Sequence, residues 1–158
     1  LHARAPGDVS GAGVGPMKLH VLNNQRPEVC TPCGGKCCHN APGAYFPGDF
    51  GETDAEIRAG VSAALLAGTT ALSDYDEEPY VHAPIRGRSG IVQEVVSKSP
   101  CANLLPAGCS LEFDRRPTQC RVLEPDPAGK VCRLPTSVGD DACREAWAPF
   151  LDLFNELR

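Results

Sequence analysis

Aromatic residues are scarce in this chain of 158 residues: it has one Trp, three Tyr and five Phe. A core with so few large rings must be built from small aliphatics and needs further support. Basic charge is also in the minority. Lys and Arg number 15 against 20 Asp and Glu, giving a formal net charge of -5 and a pI near 5.3. Nucleic-acid binding requires a basic face to neutralise phosphates, so no nucleic-acid partner is expected. The dense basic stretches, Arg86 and Arg88 in IRGRSG and Arg115–Arg116 in DRRP, read as solvated turns.

Long hydrophobic runs are missing as well. None approaches the roughly 18 apolar residues needed to cross a bilayer, so no membrane partner is expected. The stretch LHARAPGDVSGAGVGP has no apolar segment of the secretory kind. Residues 1–16 read as a flexible leader or added extension, with Met17, the sole methionine, as a candidate start and residues 17–158 as the domain. The expected compartment is the reducing cytosol. The sequence has no G-x-S-x-G, no H-E-x-x-H and no GxxxxGK[ST], which removes the corresponding hydrolase, zincin and phosphate-loop readings.

Cysteine, in contrast, is abundant, with nine residues. CTPCGGKCC places Cys30, Cys33, Cys37 and Cys38 within nine positions; Cys101, Cys109 and Cys120 form a second region, followed by Cys132 and Cys143. An odd count leaves at least one thiol outside any disulfide framework. Inside the cell such patterns more often bind metal. C-x2-C turns two sulfurs onto one ion and is the usual half-site of tetrahedral zinc or iron–sulfur centres. Gly34 and Gly35 let the chain wrap tightly, and Lys36 can offset thiolate charge. Two cysteine regions separated by other structure suggest a site completed by fold closure.

Adjacent thiols point apart on most backbones, so Cys37 and Cys38 are expected to serve different ions or different iron atoms. Cys30, Cys33, Cys37, Cys38, Cys101, Cys109, Cys120 and Cys132 would together fill two four-coordinate sites. That leaves Cys143 as a spare helix residue facing the core. His39 and His82 are the histidines that could replace a thiol.

The rest of the chain alternates loops with short elements. MKLHVLNNQRPEV predicts a strand at Lys18 to Leu22. TDAE is a capping box that starts a helix at Thr53, with Ile57, Val61, Ala64 and Leu65 on one face and Gly68 as its stop. Extended stretches at Tyr80–His82 and Ile91–Val96, bracketing Gly87 and Gly90, predict a hairpin. SLEF predicts a further short strand, and PDPAGKVCRLPTS a loop. A last helix starts near Asp140, carries Ala146, Trp147, Phe150, Leu151 and Phe154 on a broad apolar face, and is kinked or divided at Pro149. That aromatic face is either core or a surface for a protein partner. The fold class expected is α+β: a small single domain with few short strands, two main helices and long loops organised around one or two cysteine metal sites.

CTPCGGKCC, followed by C-x7-C and then RRPTQCR, resembles the CxxCxxxCC cysteine-cluster family, the YkgJ-type domain. The resemblance runs from about Cys30 to Arg121 and includes Arg116, Pro117, Cys120 and Arg121 of the second motif. It implies a zinc- or iron-chelating domain, with metal binding at Cys30, Cys33, Cys37, Cys38, Cys101, Cys109 and Cys120. Some family members are labelled Fe–S oxidoreductases, and the domain also occurs in flagellin lysine N-methylase proteins.

Three functions follow as expectations. The preferred one is a domain organised by structural metal, zinc first, with a binding role. The second is an iron or iron–sulfur oxidoreductase or protein-modifying enzyme, with Tyr45, Asp49, Arg116 and Arg121 as helpers. The third is metal trafficking through Cys37–Cys38.

Overall fold

Capping and packing explain the longest helix. In the computed structural model, which describes residues 34–74, 77–106, 108–124, 126, 128 and 132–158, a short helix α1 (Lys36–Asn40) is followed by a 3-10 turn at Pro47–Asp49 and then by α2 (Asp54–Leu66). The capping box of α2 forms as the sequence predicts: Glu56 N donates to Thr53 Oγ1 at 3.3 Å, and the Glu56 carboxylate accepts from Thr53 N at 3.0 Å. At the other end Gly68, with φ 71°, lets its own amide reach Leu65 O (3.1 Å) and that of Thr69 reach Ala64 O (3.0 Å), which completes a Schellman turn. Ile57, Val61 and Leu65 are buried, and Ala64 is half-buried on the same face.

The sheet differs from the expected hairpin. β2 (Tyr80–His82) pairs antiparallel with β1 (Ala71–Ser73), with Leu72 opposite Val81. Residues 91–93 lie parallel on the other side of β1, where Leu72 N donates to Ile91 O (2.8 Å) and Gln93 N to Leu72 O (3.0 Å). The reason is local. Gln93 is buried, and its side chain accepts from Ile85 N (2.9 Å) and donates to Gly90 O (3.1 Å). These bonds fold the 85–93 stretch onto itself, and β2 is left to another partner. The free edge of β2 takes residues 43–45: Tyr45 N donates to Val81 O (2.8 Å) and Ala83 N to Gly43 O (3.0 Å). SLEF is not a strand either. A two-residue hairpin, β3 (Leu104–Leu105) with β4 (Gly108–Cys109), precedes it, and Phe113–Arg115 is a 3-10 turn.

A short helix α3 (Thr118–Arg121) and a 3-10 turn at Thr136–Val138 lead to the C-terminal pair. Pro149 divides that pair as expected: α4 (Asp140–Trp147) and α5 (Leu151–Leu157) flank a 3-10 turn at Ala148–Phe150. The aromatic stripe is core. Trp147 and Phe154 have no exposed surface, and the Trp147 ring meets Phe50, Phe150 and Phe154 at centroid distances of 5.8, 5.5 and 5.5 Å. Each such pair adds about 0.5–1.5 kcal/mol beyond burial, so the few rings are concentrated where they cooperate. Leu151, expected on that face, is instead exposed.

The architecture is a mixed α+β fold of helices and short antiparallel strands. No helix among the described residues is long and apolar enough to cross a membrane. The leader at 1–16, the strand expected at Lys18 to Leu22, Cys30 and Cys33 lie outside the described residues.

Candidate metal centre

Backbone hydrogen bonds bring the two cysteine regions together. α1 carries Cys37 and Cys38, and Cys38 O accepts from Cys101 N at 2.8 Å. Two residues further along the first region and two residues back in the second, Asn40 O accepts from Ser99 N at 3.0 Å. An isolated bridge joins Ile85 to Cys101, so the chain leaving β2 also supports the second region. α3 is held to the loop after α1 by Gln119. Its Oε1 accepts from Ala44 N (2.8 Å), its own amide donates to Ala44 O (3.3 Å), and its Nε2 donates to Val138 O (3.0 Å) and Asp140 (3.2 Å). Cys120 follows directly on this residue. Its sulfur sits against the Cα of Gly43, where any Cβ would collide with it.

Six thiols interact as a network. The two neighbours Cys37 and Cys38 act on each other most strongly, and Cys132 acts on Cys37 as well. Cys37 is held below the ordinary thiol range, chiefly by Cys38. Cys38 is pushed up by Cys37 first, then by burial and by the charges of Cys120 and Cys101. Burial raises Cys120 first, and Cys101, Cys109 and Cys37 add to it while Arg116 opposes. Cys101 is likewise raised by burial and by Cys109, with Arg86 opposing. Of these four thiols Cys37 thus ionises first, the other three are suppressed by burial and by neighbouring thiols, and two arginines partly relieve the crowding. The adjacent Cys37 and Cys38, expected to serve different ions, each have the other as the largest influence on their ionisation. Cys37, Cys38, Cys120 and Cys132 also line a cavity of about 290 Å³.

All seven cysteines with described thiols are free of disulfides: Cys37, Cys38, Cys101, Cys109, Cys120, Cys132 and Cys143. Among the described residues no three His, Cys, Asp or Glu side chains surround one point closely enough to hold an ion. The donor type is nevertheless that of a soft metal: six free thiols on separate elements act on one another's ionisation, and C-x2-C at Cys30 and Cys33 precedes them in sequence.

The other expected residues are placed as follows. Cys143 is fully buried among the apolar residues, its thiol directed at Tyr45 O (3.5 Å) and pushed up to about 12 chiefly by burial. Cys143→Ala should therefore leave metal content unchanged by elemental analysis and cost about 1 kcal/mol of stability. Metal loss in that variant would remove it from the spare role. His39 is exposed at the end of α1. His82 is fully buried, with Nδ1 bonded to Ala83 O at 2.7 Å, and burial lowers its affinity for a proton.

Asp49 is a clasp. Its carboxylate accepts from Phe46 N (2.9 Å), Thr118 N (3.1 Å), Thr118 Oγ1 (2.8 Å) and Arg121 (2.6 Å). Tyr45 is buried, and its hydroxyl is pushed up by burial and then by Cys120, Cys101 and Cys109. Sequence reasoning missed Gly43, Gln119 and Arg86. Arg86 is an exposed turn residue as expected, and it also hydrogen-bonds Leu104 O and opposes the rise at Cys101, whereas Arg116, expected to be solvated, is buried. Nothing in the local sequence marks Gly43 or Gln119, whose roles arise from contacts made across the fold.

Comparison with family models, with curated proteins and with solved structures yields no match.

Proposed function

We propose that this chain is a cysteine-cluster metal-binding domain of the cytosol in which metal, zinc by preference, ties the two cysteine regions together. The observation that carries this reading is the thiol network joining α1, the second cysteine region and Cys132, with Cys101 N bonded to Cys38 O across more than sixty positions of sequence. Cys37, Cys38, Cys101, Cys109, Cys120 and Cys132, with Cys30 and Cys33, are the residues that would hold it, at one or two sites. A closed thiolate site contributes on the order of 10 kcal/mol to folding at neutral pH. A chain with few aromatics, short strands and many prolines gains most from such a link.

A second reading, an iron or iron–sulfur oxidoreductase or protein-modifying enzyme, is favoured by one feature. Tyr45 and Arg116, which feel or influence the thiol charges, also line a cavity of about 970 Å³. Elemental analysis and an absorption spectrum of protein purified without oxygen separate the two. A colourless protein with one or two zinc ions is the expected result. Broad absorption near roughly 400 nm with bound iron would select the second reading. Protein free of both metals would sink both. Cys37 and Cys38 are each half-buried, which favours trafficking no more than ligation.

A further inference from the structure

The cavity of about 970 Å³ lies at the upper end of the range occupied by small-molecule sites. Its wall inverts the charge balance of the chain. Four arginines, Arg88, Arg115, Arg116 and Arg121, outnumber three carboxylates, Asp49, Glu112 and Asp114, although acids exceed bases 20 to 15 overall. Asp49 and Arg121 largely neutralise each other as an ion pair, with Asp49 also taken by Thr118 and Phe46 N, which leaves Arg88, Arg115 and Arg116 facing Glu112 and Asp114. Arg116 is rigidly set: it is almost fully buried, donates from Nε to Leu111 O at 3.1 Å, and lies over the Phe113 ring at 5.6 Å.

A second, independent observation concerns Thr70. It lines the same cavity just beyond the Schellman turn of α2, is 3% exposed, and its hydroxyl has no hydrogen-bond partner among the described residues. A buried hydroxyl left without a partner is costly; Thr70 Oγ1 is enclosed in the cavity wall, so a ligand would complete its bonding only with a local shift of that wall.

We propose that this cavity binds a small organic oxyanion, with its carboxylate or phosphate on the arginine side and a hydrogen-bonding group of its body on Thr70. Guanidinium groups recognise both oxyanions through paired N–H donors, so the wall fits either chemistry. The volume leaves room for an organic body beside the oxyanion. The proposal goes beyond the metal reading and does not depend on which metal is held, because the thiols contribute none of the lining residues.

The test is a titration of the full chain, as purified, with succinate and separately with inorganic phosphate, followed by amide NMR at ionic strength matched with sodium chloride. The expected result is saturable shifts at Thr70 and around residues 110–116 with one probe, and linear, small changes with chloride. The probe that saturates identifies the oxyanion. Arg88→Gln combined with Arg115→Gln alters two exposed side chains and should weaken binding about fivefold or more. Thr70→Val should weaken it about twofold to fivefold without lowering the thermal midpoint, since it removes an unpartnered hydroxyl. Non-saturating behaviour with both probes, or unchanged affinity in both variants, overturns the proposal. Metal content is measured on the same samples. Metal-replete protein that binds neither probe defeats the cavity proposal alone, and metal-free protein that binds one defeats the metal reading alone.

Discussion

Serine at Cys120 is expected to leave protein purified without oxygen largely free of metal and to lower its thermal midpoint by roughly 10 °C or more. The size follows from two magnitudes. A thiolate metal site contributes on the order of 10 kcal/mol, and in a domain of this length each kcal/mol lost lowers the midpoint by about 2–4 °C. Forfeiting even half of that contribution gives the stated shift. Cys120 is the informative choice because it is half-buried on α3, feels Cys101, Cys109 and Cys37, and lies in the wall shared by Cys37, Cys38 and Cys132. A companion variant separates sulfur count from sulfur position. Gly43→Ala keeps every thiol but places a methyl group where the Cys120 sulfur lies. If the ion needs that sulfur in place, Gly43→Ala should also lose metal, whereas Cys143→Ala should not. Full metal content in Cys120→Ser, measured by elemental analysis, would take Cys120 out of the ligand set.

The parts of this fold that sequence disclosed are those whose cause is local. Thr53 and Glu56 cap α2 through atoms three residues apart, Gly68 ends it through its own φ, and Pro149 divides the C-terminal pair because it lacks an amide hydrogen. The strand pairing was not legible. Tyr80–His82 and Ile91–Val96 both have the composition of strands, but which edge each one meets is settled by Gln93, a polar residue whose buried side chain satisfies Ile85 N and Gly90 O. The meeting of the cysteine regions was legible as an expectation from spacing, but its mechanism was not. Gln119 and the Cys38–Cys101 backbone bond tie together residues that no short window contains. The adjacent thiols show the same limit: side-chain direction at Cys37 and Cys38 depends on the backbone of α1, and there each strongly alters the other's ionisation.

Removing the carboxylate of Asp49 should have the second large effect, at a distance from the thiols in sequence but directly on their support. Asp49 closes the 3-10 turn at 47–49 through Phe46 N and anchors both the first residue of α3, Thr118, and its last, Arg121. α3 carries Cys120 between those anchors. Taking one member from a buried ion pair costs about 3–5 kcal/mol. The Arg121 side chain keeps 29% exposure and can recover some hydration, which places Asp49→Ala near the lower end of that range. Asp49→Asn retains an acceptor while losing the charge, so it should fall between the alanine variant and the parent in chemical denaturation. Thr118→Val removes the hydroxyl that donates to Asp49 and accepts from Arg121 at 2.9 Å, and should cost about 1 kcal/mol. Because the two side chains bond directly, the Asp49→Ala and Thr118→Val effects should add to more than the double variant loses, by about 0.5 kcal/mol or more. If Asp49→Ala unfolds within about 1 kcal/mol of the parent, the clasp does not set the position of α3, and the placement of Cys120 must rest on Gln119 and the Gly43 contact alone.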